Sequence, residues 1–350
     1  MSIQSALAER IEPVVSPTPA VPSRVFDDAA SALTQPSMYT HLRCPVCRNG
    51  LVASESTLVC VATACGATFP IVDGIPVLIN EGASLFTISD VVASRDPGGI
   101  PPSPSWKQRL AAALPPLGKN YRAPENFVLL HDELRARPGA MKRVLVIGGG
   151  ILGLGMEHLV GDPTVELVET DVFFGPRSRY IVDAHDLPFA DGIFDAVVMQ
   201  GVLGALIDPN RAVSEIQRVL QPNGLVYIET PFVQQVCMGR FDFQRYSHLG
   251  LRRLFRAFEE IRSGAQAGPA MALAWSYQYL LWSFVTSRMG RSVMLVVARL
   301  TGWWLPQVDR FLLDRPGGID GASGVFFLGR KSKTVLSDRE LLAGYRGAFA

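Results

Sequence analysis

The sequence predicts an α/β protein built on a doubly wound parallel sheet, with a small metal-stapled segment before it and an apolar helical insertion near its end. Three observations carry this expectation. Residues 142–157, KRVLVIGGGILGLGME, run from a short apolar strand into Gly148, Gly150 and Gly153. That is the G-x-G-x-x-G spacing in which a backbone turns tightly and approaches a ligand closely. Beyond it, strand-length apolar runs alternate with helical spacing, the pattern of a parallel sheet. Upstream, four cysteines fall within a short stretch of strands and turns.

In chain order, residues 1–38 are rich in Ala, Pro and Ser without sustained periodicity, which predicts disorder. The character changes at residue 39, and a separate unit is predicted over 39–80, containing Cys44, Cys47, Cys60 and Cys65. Two thiolate pairs at tight turns can give Zn2+ its tetrahedral sulfur shell, and the metal replaces the core that ~40 residues cannot build. A closed four-ligand shell has no open position, so a structural or adaptor role is expected. The fifth cysteine, Cys237, stands alone, so there is no secreted disulfide framework. The N-terminal MSIQSALAERIEPVV lacks the positive start and apolar run of a signal peptide, and a reducing, cytoplasmic setting is expected. Residues 81–118, with DPGGIPPSPS at 96–105, read as a linker.

A main domain is expected over 119–333, and 334–350 as a tail. A helix at 123–137 stops at Pro138-Gly139. Strands follow at 144–147, 165–172, 180–183, 194–200 and 225–230, with a helix at 211–220 before Pro222-Asn223-Gly224. Asp171, closing the second strand, lies about 20 residues beyond the glycines, where a ribose-binding carboxylate is expected. The 350 residues suffice for two structured units, and a net charge of +1 gives no global reason to expect nucleic-acid binding.

Together VLVIGGGILG, the acidic strand end at Asp171, DAHDLPFADGIFDAVV from residue 183 and AVSEIQRVLQPNGLVYIETP from residue 212 closely resemble the class I S-adenosylmethionine-dependent methyltransferases of type 11. The resemblance covers about residues 142–263 with a final strand near 323–330, and implies a Rossmann-like, seven-stranded sheet. It implies that Gly148, Gly150 and Gly153 approach the methionine end and ribose of the cofactor and that Asp171 holds the ribose hydroxyls. Asp183 and Ala184 would meet the adenine edge, and Gln200 at the fourth strand end joins this cofactor set. Nicotinamide-dependent oxidoreductases share the glycine turn and acidic residue but not the Leu187-Pro188-Phe189 and 219–224 segments at their spacing. The cysteine segment resembles the zinc-ribbon activator of tRNA and protein methyltransferases, through Cys44-Pro45-x-Cys47, a second pair and FPIVDGIPVL at 69–78. It departs from that pattern in the four residues between Cys60 and Cys65, so the second knuckle must bulge.

Methyl transfer depends mainly on alignment and exclusion of water, with a base needed only for a protonated acceptor. The acceptor pocket is expected beyond the carboxyl ends of the fourth and fifth strands, where Gln234, Asp242, Arg245, Tyr246 and His248 are candidates. Two departures bear on catalysis. Leu203-Gly204-Ala205 stands where many relatives have Leu-Glu-His, and Cys237 where a histidine often follows the Pro-Phe-x-Gln turn. Catalytic residues are therefore not assigned, and a cofactor-binding protein of reduced activity or an adaptor is the alternative to an enzyme.

Residues 268–320 read as a helical insertion rich in Trp, Leu and Val. Arg288, Arg291 and Arg299 interrupt its apolar runs, so it suits a membrane interface better than a span, with a buried cap or dimer contact as the competing reading. The expected acceptor is a small or lipid-linked molecule, with peripheral contact at the inner membrane face.

Overall fold

The structure is a computed structural model that describes residues 40–95 and 114–350. The stretches 1–38 and 96–105, read above as disorder and linker, lie outside the described residues.

The cysteine unit comes first, with strands β1 (Leu51–Ser54), β2 (Thr57–Cys60), β3 (Thr68–Val72) and β4 (Ile75–Leu78) paired antiparallel in sequence order. The β3–β4 hairpin turns at Asp73-Gly74, both with positive φ (50° and 78°), the two-residue turn whose twist matches the strands. Within the stretch read as a linker, Thr87 caps a short helix, α1 (Ile88–Ala93), by accepting from the Asp90 N–H.

The main unit begins with α2 (Ala123–Arg135) and β5 (Lys142–Ile147), then α3 (Glu157–Val160), β6 (Val165–Asp171), β7 (Tyr180–Val182), β8 (Phe194–Gln200), α4 (Pro209–Val219) and β9 (Leu220–Pro231). Next come α5 (His248–Leu254) and β10 (Phe258–Ala267). The insertion supplies α6 (Pro269–Ser283), α7 (Arg288–Gly302), α8 (Leu305–Leu312) and α9 (Pro316–Asp320) before β11 (Gly324–Lys331) and a last helix, α10 (Asp338–Ala343). The seven strands of this unit lie in the order β7-β6-β5-β8-β9-β11-β10, parallel except where β11 runs antiparallel between β9 and β10.

Period-two alternation explains why these strands are apolar throughout. Val144 and Val146 face Phe127 and Leu130 of α2, while Leu145 and Ile147 face the layer that includes Ile216 of α4 and Phe327 of β11, so helices cover both sides. After the glycine loop, α3 is only four residues long. β9 starts five residues earlier than expected, because its pairing with β8 begins at Phe194 and Leu220 and accommodates Asn223 at φ 59° through an irregularity.

β4 pairs in parallel with β7, Val77 against Ile181 and Leu78 against Val182, so the described strands form one sheet of eleven. Leu42 bridges Phe189, and the Arg43 N–H donates to the Pro188 carbonyl at 2.9 Å. Arg48 reaches from the first cysteine turn to Glu215 Oε2 (2.7 Å) and the Leu187 carbonyl (3.0 Å), while Arg218 donates to the same carboxylate at 2.8 Å. The Leu187 N–H adds a further bond at 3.0 Å. Burial opposes the charge of Glu215, but Arg218 and Arg48 outweigh it and hold its pKa below the ordinary carboxylate value. Residues 334–350 also fold back, Arg252 donating to the Gly344 carbonyl at 2.7 Å and Arg346 to Glu260 at 2.8 Å.

Glu215→Ala strips both arginines and the Leu187 amide of their shared acceptor. Because the Arg48 side chain is 37% exposed, the expected loss is about 2 to 3 kcal/mol of unfolding free energy, at or below the usual range for a broken buried pair. Denaturant titration checks this, and a loss within error would show that Glu215 does not hold the two units together.

Candidate cofactor and metal sites

Gly148, Gly150 and Gly153 lie at the carboxyl end of β5, each under a different constraint. Gly148 has φ +77°, a conformation that L side chains rarely adopt. A Cβ on Gly150 would lie 2.7 Å from Asp171 Oδ2, and one on Gly153 would lie 1.8 Å from Gln200 Oε1. The chain thus passes directly over the ends of β6 and β8. Asp171 accepts from the Gly150 N–H at 3.0 Å and the Phe173 N–H at 3.2 Å, while burial pushes its pKa above the usual carboxylate value. Gly175, unremarked in the sequence, packs against the same loop, where a Cβ would meet the Gly150 carbonyl oxygen at 2.6 Å.

Gln200 donates to the Leu154 carbonyl at 3.2 Å and to Glu229 Oε2 at 3.1 Å, while its Oε1 is buried without a hydrogen-bond partner. Such an acceptor beside the glycine loop fits a cationic or N–H-bearing group of a ligand. Glu229 itself is buried and also accepts from Asn120 (3.0 and 3.1 Å) and Tyr227 (2.5 Å). Burial raises its pKa against these hydrogen bonds. Glu229 and Asn120 join elements 109 residues apart, so no local spacing pointed to them.

Asp183 is brought to the neighbouring strand end, but its carboxylate is occupied. Ser84, from the segment after β4, donates to it at 2.5 Å, and His185 contacts it through Nδ1 at 2.5 Å and its backbone N–H at 3.0 Å. Adjacent Ala184 is buried. Phe86 sits edge-on to Phe173, ring centroids 5.5 Å apart, in the wall of a cavity of about 210 Å³ that Leu85, Asp90 and Phe241 also line.

The acceptor-side candidates divide. Arg245 grips Asp242 through two nitrogens and donates to the Gln234 and Gln235 carbonyls at 3.2 and 3.1 Å. Asp242 also accepts from the Cys237 and Met238 N–H groups at 2.7 and 3.2 Å. Burial works against this carboxylate, yet Arg245 and the two amides hold its pKa down to about 2. These residues brace the loop after β9. Tyr246 donates to Gln244 at 2.7 Å. His248 stands apart at the start of α5, buried against Ser263 (2.8 Å) and Arg346 (3.1 Å). Burial, with Arg346 and Arg252 nearby, pushes its pKa down to about 4.

In the cysteine unit the four sulfurs lie within 4.8 Å of one another, with Cys44 to Cys65 at 3.8 Å and Cys47 to Cys60 at 3.4 Å. A tetrahedral ion with metal–sulfur bonds of about 2.3 Å requires sulfur separations near ~3.8 Å. The two turns close alike. Arg48 after Cys47 and Gly66 after Cys65 both take positive φ (66° and 60°), and the Cys44 and Cys60 N–H groups donate to the carbonyls of Asn49 and Ala67. The extra residues of the second turn are absorbed where the Ala62 carbonyl accepts from both the Cys65 and Gly66 N–H groups. Asn49 donates to Cys47 Sγ at 3.4 Å, the leading cause holding that thiol's pKa down to about 6.

The strand order, the reversed β11, the glycine loop at β5 and the carboxylate closing β6 together define the class I methyltransferase fold. Residues 162–228 match the family described as methyltransferase domain. A demethylmenaquinone methyltransferase of Clavibacter sepedonicus is 32% identical over 127 residues, covering 34% of this chain and 47% of that protein, so the chain spans about half the length of this curated relative. Among solved structures, two of a phosphoethanolamine N-methyltransferase 2 of Haemonchus contortus align at 15% and 16% identity. One is with phosphomonomethylethanolamine and S-adenosylhomocysteine, the other with S-adenosyl-L-methionine; each alignment covers 62% of this chain and 55% of theirs, with a TM-score of 0.40.

A histidine that is neutral when folded makes stability pH-dependent. The unfolded chain binds the proton near pH 6.5 and the folded one only near 4, so stability should fall as pH drops through that window and level off below it. The slope for one proton is at most about 1.4 kcal/mol per pH unit. Urea titrations at several pH values should find this slope reduced in His248→Asn, and an identical profile would contradict the buried neutral assignment.

Proposed function

We propose that the protein transfers a methyl group from S-adenosylmethionine to a small-molecule or lipid-linked acceptor. The Asp171 carboxylate beneath Gly150, with the unpaired Gln200 Oε1 beside Gly153, carries this reading. When bound, the cofactor's sulfonium supplies an activated methyl group. Asp171 accepts from the ribose hydroxyls, and Gly148, Gly150 and Gly153 allow the backbone to approach. Gln200 offers its free oxygen to the methionine end, steadied through its NH2 by Glu229. Asp183 and Ala184 border the adenine edge, with Asp183 fixed by Ser84 and His185.

The acceptor lies between the end of β9 and α6 in this reading. Wholly buried Gln278 on α6 has neither amide atom paired, and Thr230 Oγ1 and Gln235 Oε1 are likewise buried without partners. Gln235 reaches α6 through Ser276 at 2.9 Å. Such unpaired groups suit an acceptor with a polar head. The curated relative's name supports a quinone as one acceptor of this kind. With His248 neutral and held by Ser263 and Arg346, and Leu203-Gly204-Ala205 lacking a base, chemistry rests on alignment with an acceptor that needs no histidine. The four cysteines hold one Zn2+ in a structural role, and contact with the inner membrane face belongs to the same reading.

Two measurements test this. Asp171→Ala should weaken S-adenosylmethionine binding in calorimetry by about 1.5 to 3 kcal/mol, the scale of hydrogen bonds to a charged group. Unchanged affinity in the folded variant would sink the assignment, and binding without methylated products from cell extracts would favour an adaptor. Elemental analysis should find one zinc per chain, lost in Cys60→Ser; full zinc retention by that variant would exclude the second turn as a ligand pair.

A further inference from the structure

The face of the insertion turned away from the sheet repeats apolar residues at helical spacing. Along α7 these are Met289, Val293, Val296, Leu300 and Trp303, and all are exposed, Met289 at 77% and Trp303 at 48%. The residues buried on this helix are small, Ala298 and Gly302. α7 is therefore amphipathic with its larger apolar stripe outward, the reverse of a helix packed only on its own domain. Phe284 at the end of α6 and Phe311 on α8 are 78% and 77% exposed.

We propose that this face is a docking surface for an anionic lipid bilayer, lying in the interface rather than crossing it. Among the described residues no helix is long and apolar enough to span. Charge selects the occupant. Across the insertion, residues 268–320, the sequence has five arginines and three acids; Asp314 is held by Arg122 and Asp320 accepts from Tyr345, and on α6, α7 and α8 themselves the one acid is Asp309. That acid is buried, its carboxylate accepting from the Gly268, Ala270 and Met271 N–H groups. Arg291 and Arg310 are exposed. A second copy bringing the same face would set arginine against arginine with no exposed carboxylate on α6, α7 or α8 to meet it. Anionic headgroups meet that charge, while the stripe and Trp303-Trp304 enter the acyl boundary.

The surface is linked to the site beneath it. Tyr279 donates to the Val236 carbonyl in the loop after β9, Lys119 N–H contacts Met271 Sδ at 3.4 Å, and Tyr121 donates to Gln307 at 3.0 Å. Neighbouring Asn120 holds Glu229. These contacts tie the docking helices to the loop after β9 and to the segment before α2. Delivery of a membrane-borne acceptor rests on the methyl-transfer reading, whereas docking itself does not.

Flotation with vesicles of phosphatidylcholine alone, and mixed with phosphatidylglycerol, tests the surface on the full chain. The protein should partition onto the mixed vesicles, with a loss of about tenfold or more in Met289→Ser/Val296→Ser/Leu300→Ser and a smaller loss on adding salt, since apolar burial is not screened. S-adenosylmethionine calorimetry on the same variant reports folding and the methyl-transfer reading separately. Wild-type protein that ignores both vesicle types, or sediments as a dimer that the triple variant converts to monomer, would overturn the proposal.

Discussion

The parallel pairing of β4 with β7 is the contact on which the rest of the molecule depends. β7 is only three residues long and would otherwise end the sheet with unpaired backbone groups. Closing that edge joins the cysteine unit to the larger core, where Leu58 and Phe69 from one side fall into the same buried cluster as Phe189 and Phe194 from the other. The pairing also fixes where the chain emerges after β4. Ser84 lands on Asp183 and Phe86 on Phe173, so the cysteine unit's own continuation lines the ends of β6 and β7.

The seven-stranded order follows from the same local rules read in the sequence. β8 has the bounds its apolar run predicts, because a strand covered on both faces is continuously apolar and bounded by turn residues. The glycine spacing and Asp171 were also legible, since their partners lie on adjacent parallel strands. Long-range closure was not. Nothing near Asn120 or Glu229 signals that they meet, and Gly175 could not be told from any other turn glycine until its packing on Gly150 was visible. The outward stripe of α7 was legible as apolar periodicity but not as exposure, since period does not say which side of a helix is covered.

In the loop after β9, charge has been turned to architecture. Arg245 and Asp242 satisfy each other and the surrounding backbone, leaving little donor capacity for a ligand. The unpaired polarity lies instead on uncharged groups, the amide of Gln278, the amide oxygen of Gln235 and the hydroxyl of Thr230. Such groups can orient a polar head by hydrogen bonding while leaving its charge unchanged, consistent with chemistry in which the protein positions more than it protonates.

Carrying the cysteine unit in the same chain as its docking strand changes the arithmetic of assembly. A separate subunit would occupy the β7 edge according to its abundance and dissociation constant. A tethered one meets that edge at an effective concentration on the order of millimolar, whatever the level of expression. The ratio is then fixed at one to one. The four-sulfur cluster consequently becomes a property of each individual molecule, and a change in its occupancy would divide a population into two kinds of chain without altering how many there are.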